Sequence, residues 1–343
     1  MTEIKILVIG SINIDEFFTV PHIVLSGETV TSTNYTKRPG GKGANQAVAL
    51  AKAAVGVWHV GKIGHDGIWI KEYMAKQGVN VDYIFTSEQQ PTGRAFIQVS
   101  QDTCDNAIAL LPGANHTLSV EEVENVLGQC KKGDWIVIQN EIGTVGGNTL
   151  KLCKDKGLIV TFNPAPLSVN IMEIFSFDLV DYLILNKLEA KQLHEQILKM
   201  NNSTGLDRLY PTPEEALKTL SIEFPQLVGI IITLGSEGLI AWYRPMNKLY
   251  TLTSFKTTVR DSTGAGDAFT GYFVASIARN QQKYMQESEE TSAQVFLNAL
   301  KEATVAAGLA VSKPGAMESI PYWNDVQKNI ESFDTYCKLY TNL

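Results

Sequence analysis

A glycine-rich turn in the last third of the chain is the strongest chemical signal in the sequence. The segment from Asp261 to Gly271 reads DSTGAGDAFTG and leads into an apolar stretch rich in small residues. Such a turn can direct free backbone N–H groups and the positive end of a helix dipole at one small volume. Asp267 falls in the first turn of the predicted helix, where an acid can simply complement the dipole. The flanking glycines favour instead an anion site with a base beside it.

A second glycine cluster lies near the N-terminus, where residues 40–46 read GGKGANQ before another small-residue helix. Its glycines allow close backbone approach, and Lys42 and Asn45 can hydrogen-bond a polar ligand. It is not a Walker loop, because no Ser or Thr follows the lysine, and Gln46 breaks the Gly-x-Gly-x-x-Gly pattern. Taken alone, a plain tight turn is an equal alternative to a ligand site.

Polar side chains also follow the predicted strands at their C-terminal ends. Asn13 and Asp15 come after the first strand, and Glu141 follows a later one. Ligands bind at this edge of open parallel sheets. The local alternatives are an Asx-turn for the first pair and a helix N-cap acid for Glu141. Together the groups offer many hydrogen bonds and few aromatic faces, which suits a polyhydroxylated ligand.

Two further strand ends carry polar or glycine-rich segments. Asn186 ends one predicted strand, and Glu189 follows in the first turn of the next helix. A capping box is the local alternative for this pair. The loop Thr233–Gly238 is bracketed by glycines and can lie against phosphate groups or simply turn the chain.

Apolar β-branched runs bounded by turn residues predict buried strands. They are Ile4–Gly10, Trp58–Gly61, Trp135–Gln139, Leu158–Asn163, Tyr182–Asn186 and Gly229–Leu234. The helices predicted with them are Gly43–Val55, Gly67–Gln77, Ser119–Gln129, Gly147–Lys156, Lys187–Met200, Pro213–Phe224, Gly264–Asn280 and Ala293–Ser312. This alternation is typical of a parallel sheet. We therefore predict an α/β fold in one domain, residues 1–343, as a three-layer sandwich whose mainly parallel central sheet is flanked by helices.

Residues 15–38 and 94–111 differ from the rest, because their apolar residues alternate with a period near two and no long helix intervenes. They predict a small β-sheet lid over one edge of the central sheet. The polar segments 201–213 and 280–292 are predicted to be surface insertions.

Composition restricts the class of partner. The 343 residues are 44% hydrophobic and carry a net charge of −7, without any run of Lys or Arg. This balance argues against a nucleic-acid or membrane partner. No apolar run has the length of a bilayer span, and the first strand is too short for a signal peptide. The four cysteines are Cys104, Cys130, Cys153 and Cys337. Their spacing is not that of metal ligands, which favours a reduced cytosolic compartment and no zinc site.

The two glycine motifs, in this order and so far apart, resemble the signatures of the ribokinase family of carbohydrate kinases, the phosphofructokinase-B-like group. The resemblance covers nearly the whole chain. The GKGANQ segment and the GSINID segment from Gly10 to Asp15 are most similar to members that phosphorylate ribose. Fructokinase-like and adenosine-kinase-like members usually depart after the glycine pair. The resemblance implies transfer of a phosphoryl group from ATP to the 5-hydroxyl of D-ribose.

The resemblance also implies roles for particular residues. Asp267 matches the catalytic base, and Gly264, Ala265 and Gly266 match the anion hole. The sugar-binding positions are Asn13, Ile14, Asp15, Gly41, Lys42, Gly43, Ala44, Asn45, Glu141 and Asp267 itself. The nucleotide-binding positions are Asn186, Thr233, Leu234, Gly235, Ser236, Glu237, Gly238, Gly266 and Thr304. Thr304 stands where many bacterial members carry a histidine.

Metal and partner expectations follow from the same resemblance. Glu189 matches an acid that organises magnesium through water. Potassium as an activator is implied by a loop matching Asp261, Thr263, Ala310, Lys313, Gly315 and Ser319. The resemblance further implies ATP, magnesium and a small sugar as ligands, and a homodimer formed through the lid. We expect a cytoplasmic protein, with a nuclear pool as the alternative location.

Three alternatives stay open at this stage. A dinucleotide-dependent oxidoreductase is disfavoured, because its glycine fingerprint does not follow the first strand. A non-catalytic sugar-binding regulator would keep Asn13, Lys42 and Glu141 without needing Asp267. A kinase of the same family acting on 2-deoxyribose, fructose or adenosine is the third.

Overall fold

The computed structural model describes residues 4–103, 105–201, 211–281, 284 and 288–336. Its strands are β1 (Ile6–Ile9), β2 (Asn13–Val20), β3 (Asn34–Gly40), β4 (Val57–Gly64), β5 (Ile84–Ser87), β6 (Gly93–Ser100), β7 (Asn106–Leu111), β8 (Trp135–Gln139), β9 (Ile159–Asn163), β10 (Tyr182–Asn186), β11 (Gly229–Thr233), β12 (Leu239–Tyr243) and β13 (Lys248–Leu252). Its α-helices are α1 (Lys42–Lys52), α2 (Ile68–Lys76), α3 (Val120–Leu127), α4 (Val145–Asp155), α5 (Ile171–Ile174), α6 (Lys187–Met200), α7 (Pro213–Glu223), α8 (Ala265–Arg279), α9 (Glu289–Ala310) and α10 (Trp323–Tyr336).

Nine strands form the central sheet in the order β13-β12-β11-β10-β9-β8-β1-β4-β5. All neighbours pair in parallel except at β12, which is antiparallel to both β11 and β13. Side chains alternate between two apolar cores along each strand. In β1, Ile6 and Val8 join the core with α1, α8 and α9, whereas Leu7 and Ile9 join the core with α3, α4, α6 and α7. This alternation produces the predicted three-layer sandwich.

A separate four-stranded sheet, in the order β3-β2-β6-β7, corresponds to the predicted lid. β2 runs antiparallel to β3 and parallel to β6, and β6 runs antiparallel to β7. Arg94 on β6 ties this sheet to the central body, because it pairs with Glu16 on β2 and with Asp66, at 2.6 Å, in the turn after β4. β2 starts four residues after β1 ends, so the lid follows directly from the C-terminal end of β1 in the central sheet.

Helices α1 and α8 pack closely against each other over the centre of the sheet. Gly271 permits this approach, since a Cβ at that position would lie 2.4 Å from the Cβ of Ala49. The small residues of both helices are thus explained by packing. The close contact also brings the N-termini of the two helices to the same edge of the sheet.

The predicted elements are found with boundaries shifted by a few residues, and Lys187–Met200 is reproduced as predicted. The prediction missed β5, the short helix α5, the hairpin β12–β13 and the helix α10. Part of the predicted insertion 280–292 is the first turn of α9, which begins at Glu289 behind the N-cap Ser288. Residues 202–210 of the other insertion, and Cys104 and Cys337, lie outside the described residues.

Within the described ranges, no helix combines the length and the apolar character needed to cross a bilayer.

Candidate active site

Polar groups from several elements meet at the C-terminal edge of the central sheet, as the strand pattern predicts. Ser11 follows β1, and Glu141 follows β8. The strands β9, β10 and β11 end in Asn163, Asn186 and Thr233, respectively. The N-termini of α1 and α8 reach the same edge, with Lys42 in the first turn of one and Asp267 in the first turn of the other. Both predicted glycine motifs therefore belong to one site.

Asp267 is the most enclosed carboxylate of this site, with 7% of its surface exposed. Its Oδ2 accepts a hydrogen bond from Asn45 Nδ2 at 2.8 Å, and its Oδ1 accepts one from Gln46 Nε2 at 3.0 Å. Burial raises the pKa of Asp267, while the charge of Lys42 and the two amides act in the opposite direction. The carboxylate is thus held by donors on both oxygens.

The turn before Asp267 has the geometry of an anion site. Gly264 is the N-cap of α8 and adopts a left-handed backbone with φ of +76°, which glycine adopts without strain. A Cβ on Gly266 would meet no atom within 4 Å, so this residue faces open space. The first N–H groups of a helix have no partner within it and carry its positive dipole end. The start of α8 can therefore bind an anionic group beside Asp267.

Lys42 is surrounded by four carboxylates that come from separate elements. Burial alone would lower its pKa, but the charges of Asp267, Glu141, Glu189 and Asp15 raise the pKa above its usual value. The ammonium therefore stays charged and offsets part of the negative charge of the site. Gly41 precedes Lys42 as the N-cap of α1, and Gly43 and Ala44 lie buried in the first turn.

Glu141 contacts α1 instead of capping the helix that follows it. One of its carboxylate oxygens, Oε2, accepts hydrogen bonds from the backbone N–H of Lys42 at 3.1 Å and from the hydroxyl of Ser11. Helix α4 begins at Val145, and its N-cap Thr144 forms no side-chain cap. The N-cap interpretation of Glu141 is therefore wrong. Its charge instead complements the positive end of the α1 dipole.

Asn13 and Asp15 are the first and third residues of β2, where the chain passes from the central sheet into the lid. Asn13 Oδ1 accepts a hydrogen bond from Asn115 Nδ2 at 2.7 Å. Burial raises the pKa of Asp15 to about 7, and the negative charges of Glu141, Asp267 and Glu318 add to the effect against that of Lys42. Ile14 buries its side chain in the core. This part of the site presents closely spaced hydrogen-bonding groups.

Two adjoining clefts open beside the start of α8. One has a volume of about 640 Å³ and contains Lys42, Asn186, Glu189 and Asp267. The other has a volume of about 570 Å³. Both are bounded by Thr233, Gly235, Ser262, Ala265 and Gly266. The turn at the start of α8 therefore forms part of the wall that the two clefts share.

The second cleft has mainly apolar walls, including Phe255, Ala307, Gly308 and Val311. Thr304 also lines it, but its hydroxyl donates to the backbone carbonyl of Leu300 at 2.7 Å. The cleft suits a flat, largely apolar group such as a nucleobase, packed by shape rather than by side-chain hydrogen bonds.

The predicted nucleotide loop splits between these clefts and the surface. Gly235, Ser236 and Gly238 line the second cleft, and Leu234 lines the first. Glu237 points elsewhere, since its carboxylate pairs with Lys187 at 2.8 Å on the exposed surface.

Asn186 and Glu189 form the capping box that was the local alternative for this pair. Asn186 Oδ1 accepts from the Glu189 N–H, and Glu189 Oε2 accepts from the Asn186 N–H, each at 2.9 Å. Burial raises the pKa of Glu189, whereas the hydrogen bond from the Asn186 N–H and the charge of Lys42 act to lower it. Both residues still line the first cleft. Capping and a ligand role are therefore compatible here.

No cluster of three or more His, Cys, Asp or Glu side chains that could hold a metal ion occurs in the parts of the chain covered by the structure. Glu189 fits a site for a hard cation that is held through water ligands, because its carboxylate lies buried in the cleft wall.

Asp261 joins the α8 turn to the loop that follows α9. Its Oδ1 accepts from the Thr263 N–H, and its Oδ2 accepts from the Gly315 N–H, both at 2.9 Å. Burial opposes ionisation, yet these donors and the nearby Arg38 hold the pKa of Asp261 below its usual value. In the same loop, the Lys313 N–H donates to the Ala310 carbonyl at 3.1 Å, and Ser319 donates to that of Ala316 at 2.9 Å.

Several residues of the site escaped the sequence analysis. They are Ser11, Gln46, Asn115, Asn163 and Phe255. Asn163 could have been found, because it ends a predicted strand as Asn186 does. Asn115 heads only a nominal glycosylation triplet, and its role depends on a contact 102 residues away in the chain.

The fold and the two glycine motifs define the chain as a sugar-kinase-like protein, and comparison with known proteins agrees. A family model described as pfkB family carbohydrate kinase matches residues 3–323. The chain therefore belongs to the pfkB family of carbohydrate kinases.

Several of the similar proteins are ribokinases. The chain is 33% identical over 318 residues to a ribokinase of Haemophilus influenzae, covering 92% of this chain and 94% of that one. A structure of ribokinase from Cryptococcus neoformans in complex with ADP is 35% identical, with a TM-score of 0.76 and coverage of 95% of this chain and 100% of that one. Ribokinase from Arabidopsis thaliana, complexed with ribose and ATP, is 25% identical, with a TM-score of 0.76 and coverage of 96% and 99%.

Proposed function

We propose that this protein is a carbohydrate kinase that uses ATP to phosphorylate D-ribose at its 5-hydroxyl, giving ribose 5-phosphate and ADP. The observation that carries the proposal is the position of Asp267. Its carboxylate lies at the positive end of α8, beside the turn shared by the two clefts and within hydrogen-bond distance of Asn45. The ribokinase relatives, among them one complexed with ribose and ATP, support ribose as the sugar.

In this proposal each half of the site has one task. Asn13, Asp15 and Asn45 bind the hydroxyl groups of the sugar, with Glu141 and the N-terminal turn of α1, from Gly41 to Ala44, completing the pocket. The adenine occupies the apolar cleft beside Thr304, and the phosphate chain follows the Thr233–Gly238 loop towards Asn186. The transferred phosphoryl group then lies at the shared wall.

Asp267 orients the 5-hydroxyl and accepts its proton as the oxygen attacks the terminal phosphorus of ATP. The bond between that phosphorus and the bridging oxygen breaks, and ADP leaves with the bonding electrons. Charge spreads over the equatorial oxygens in the transition state. The N–H groups of Gly264, Ala265 and Gly266 stabilise that charge, because they are already oriented before the reaction. Lys42 lowers the cost of bringing the phosphate chain close to the carboxylates.

Magnesium and potassium complete the proposal. Glu189 would hold magnesium through its water ligands, and the ion would neutralise the charge that develops on the phosphates. Potassium would be held by Asp261, Thr263 and, largely through backbone carbonyls, by Ala310, Lys313, Gly315 and Ser319. The support for potassium is Asp261, which already connects the α8 turn to that loop.

We also propose that the lid closes over the sugar as part of a single domain, and that two chains associate through it. Closure would exclude water, so that ATP is not hydrolysed without an acceptor. The edge strand β7 supports the association, because it exposes Ile108, Leu110 and Leu111. The free thiols Cys130 and Cys153 are in keeping with a cytoplasmic location, and imaging of a tagged chain would detect the alternative nuclear pool.

Sugar-dependent ADP release tests the proposal directly. A coupled assay would compare D-ribose, 2-deoxyribose, fructose and adenosine at equal ATP, and phosphorus NMR would identify the product. We expect the highest kcat/KM with D-ribose and a 5-phosphate product. A higher value for adenosine would contradict the substrate assignment, and sugar binding without ADP release would favour a non-catalytic regulator.

A further inference from the structure

A chain of buried carboxamides runs behind Asp267 and has no counterpart in the roles assigned so far. Gln139 Nε2 donates to Gln46 Oε1 at 2.6 Å. Gln46 Nε2 donates both to Asp267 Oδ1 at 3.0 Å and to Asn163 Oδ1 at 3.1 Å. Asn163 Nδ2 in turn donates to the backbone carbonyl of Ile184 at 2.9 Å. This network of amides, the Gln46 network, thus links β8, α1, β9 and β10 to the first turn of α8.

The orientation of every amide in this chain is fixed by groups that can only accept. A backbone carbonyl only accepts, so Asn163 must direct its nitrogen to Ile184 and its oxygen to Gln46. A carboxylate also only accepts, so Gln46 must direct its nitrogen to Asp267. Both hydrogens of the Gln46 amide are then used, and its oxygen is left for Gln139. No member can rotate without losing a buried hydrogen bond.

Gln46 and Asn45 hold different oxygens of the same carboxylate. Gln46 has no exposed surface, so it cannot itself contact a ligand. Asn45 belongs to the predicted sugar-binding set, and it donates to Oδ2. We propose that Gln46 is a positioning residue that fixes Oδ1 of Asp267 and leaves Oδ2, on the side of Asn45, to receive the proton of the sugar. This inference rests on the proposed role of Asp267 as the base.

The remaining charges around Asp267 come from three directions. Lys42 on α1, Glu189 on α6 and Asp15 on β2 all interact electrostatically with it. The Gln46 amide is a neutral donor among them, so it favours the ionised base without adding charge. A carboxylate in its place would face Asp267 directly, and two such groups would share one proton.

Gln46→Glu and Gln46→Met test this role by kcat, by KM for both substrates and by the pH dependence of kcat. For Gln46→Glu we expect kcat at pH 7 to fall about 10²-fold and the pH of half-maximal kcat to rise by about one unit or more, with both KM values within about threefold of wild type. For Gln46→Met we expect a comparable fall in kcat with a smaller pH shift, because no second carboxylate is introduced.

Gln139→Glu tests the Gln46 network without a substitution at any residue that touches Asp267. A carboxylate at 139 needs donors, so the Gln46 amide should rotate and turn its oxygen towards Asp267. We expect at least a tenfold fall in kcat with KM little changed. Gln281→Met is the matched control, since Gln281 is a half-buried amide bonded to Trp135 and Gly133 near the far end of α8. Thermal melting of each variant separates loss of fold from loss of rate.

Unchanged kcat and pH dependence in folded Gln46→Glu would overturn the inference, as would a loss no greater than that of Gln281→Met. Should the Gln46 variants not fold, wild-type kcat in Gln139→Glu would overturn it equally. Asp267→Asn separates this inference from the proposed function. If Asp267→Asn loses turnover while the Gln46 and Gln139 variants keep it, only the role of Gln46 is wrong. If Asp267→Asn itself keeps turnover, the proposed base is wrong.

Discussion

At the scale of single residues, the site depends on carboxylates held at different proton affinities. Asp261 is kept ionised by surrounding donors, whereas burial raises the pKa of Asp15 and Asp267. Lys42 lies among the carboxylates and remains charged. Separation of this kind lets one carboxylate serve as a base while another only binds.

Asp15 should make both stability and sugar binding depend on pH. Its pKa is about 7 in the fold, against 3.8 as the ordinary value. Between these two pH values, the folded chain keeps a proton on Asp15 that the unfolded chain has released. The contribution of Asp15 to the free energy of unfolding is therefore lost as the pH rises from about 4 to about 7. At pH 8 we expect the free energy of unfolding of Asp15→Asn to exceed that of wild type by on the order of a few kcal/mol. Denaturant titration of both proteins measures this difference.

Ribose binding should show the opposite dependence. The ionised Asp15 accepts hydrogen bonds from sugar hydroxyls, so KM for ribose should fall as the pH rises from 6 to 8. In Asp15→Asn the KM should be higher and nearly independent of pH over this range. Equal pH dependence of KM in the variant and wild type would remove Asp15 from the sugar site.

At the scale of elements, the important feature is that helix N-termini and strand ends meet. Helix α6 could be predicted to the residue, because its start is marked by the local capping box of Asn186 and Glu189. The two glycine motifs were equally visible, since their spacing is short. The Gln46 network could not be predicted, because Gln139 and Asp267 lie 93 and 221 residues from Gln46 in the chain. The hairpin β12–β13 was missed, because neither strand lies between helices.

The connection through Asp261 predicts how the cation loop acts on the α8 turn. Asp261→Ala removes the acceptor for both the Thr263 and the Gly315 N–H groups. We expect the potassium concentration for half-maximal activity to rise several-fold and kcat to fall, since the anion hole loses its link to the loop. Activity should be titrated with KCl at constant ionic strength, using NaCl as the matched salt. An unchanged potassium response in the variant would contradict the proposed cation loop.

At the scale of the whole molecule, the four-stranded lid sheet is the proposed cover for the sugar and the proposed surface between two chains. Ile108 on β7 is 56% exposed, and Phe96 and Leu110 are exposed on the same sheet. Charging this surface should oppose association, because a buried charge without a partner is costly. For Ile108→Glu we expect a monomer by sedimentation velocity at concentrations where wild type is a dimer, with a raised KM for ribose.

Ile222→Glu is the matched control for that experiment. Ile222 lies on α7, away from the lid, and is 69% exposed. The control should leave the oligomeric state and KM unchanged. A monomeric wild-type chain, or an Ile108→Glu variant that stays dimeric, would show that the lid is not the interface.

The central claim is that Asp267 is the base of an ATP-dependent ribose kinase, and Asp267→Asn tests it most directly. Calorimetry would measure ATP and ribose binding to the variant, and the ADP-release assay would measure its kcat with D-ribose. We expect both affinities to stay close to wild type and kcat to fall about 10²–10⁴-fold, the usual contribution of a general base. A kcat near that of wild type would contradict the claim.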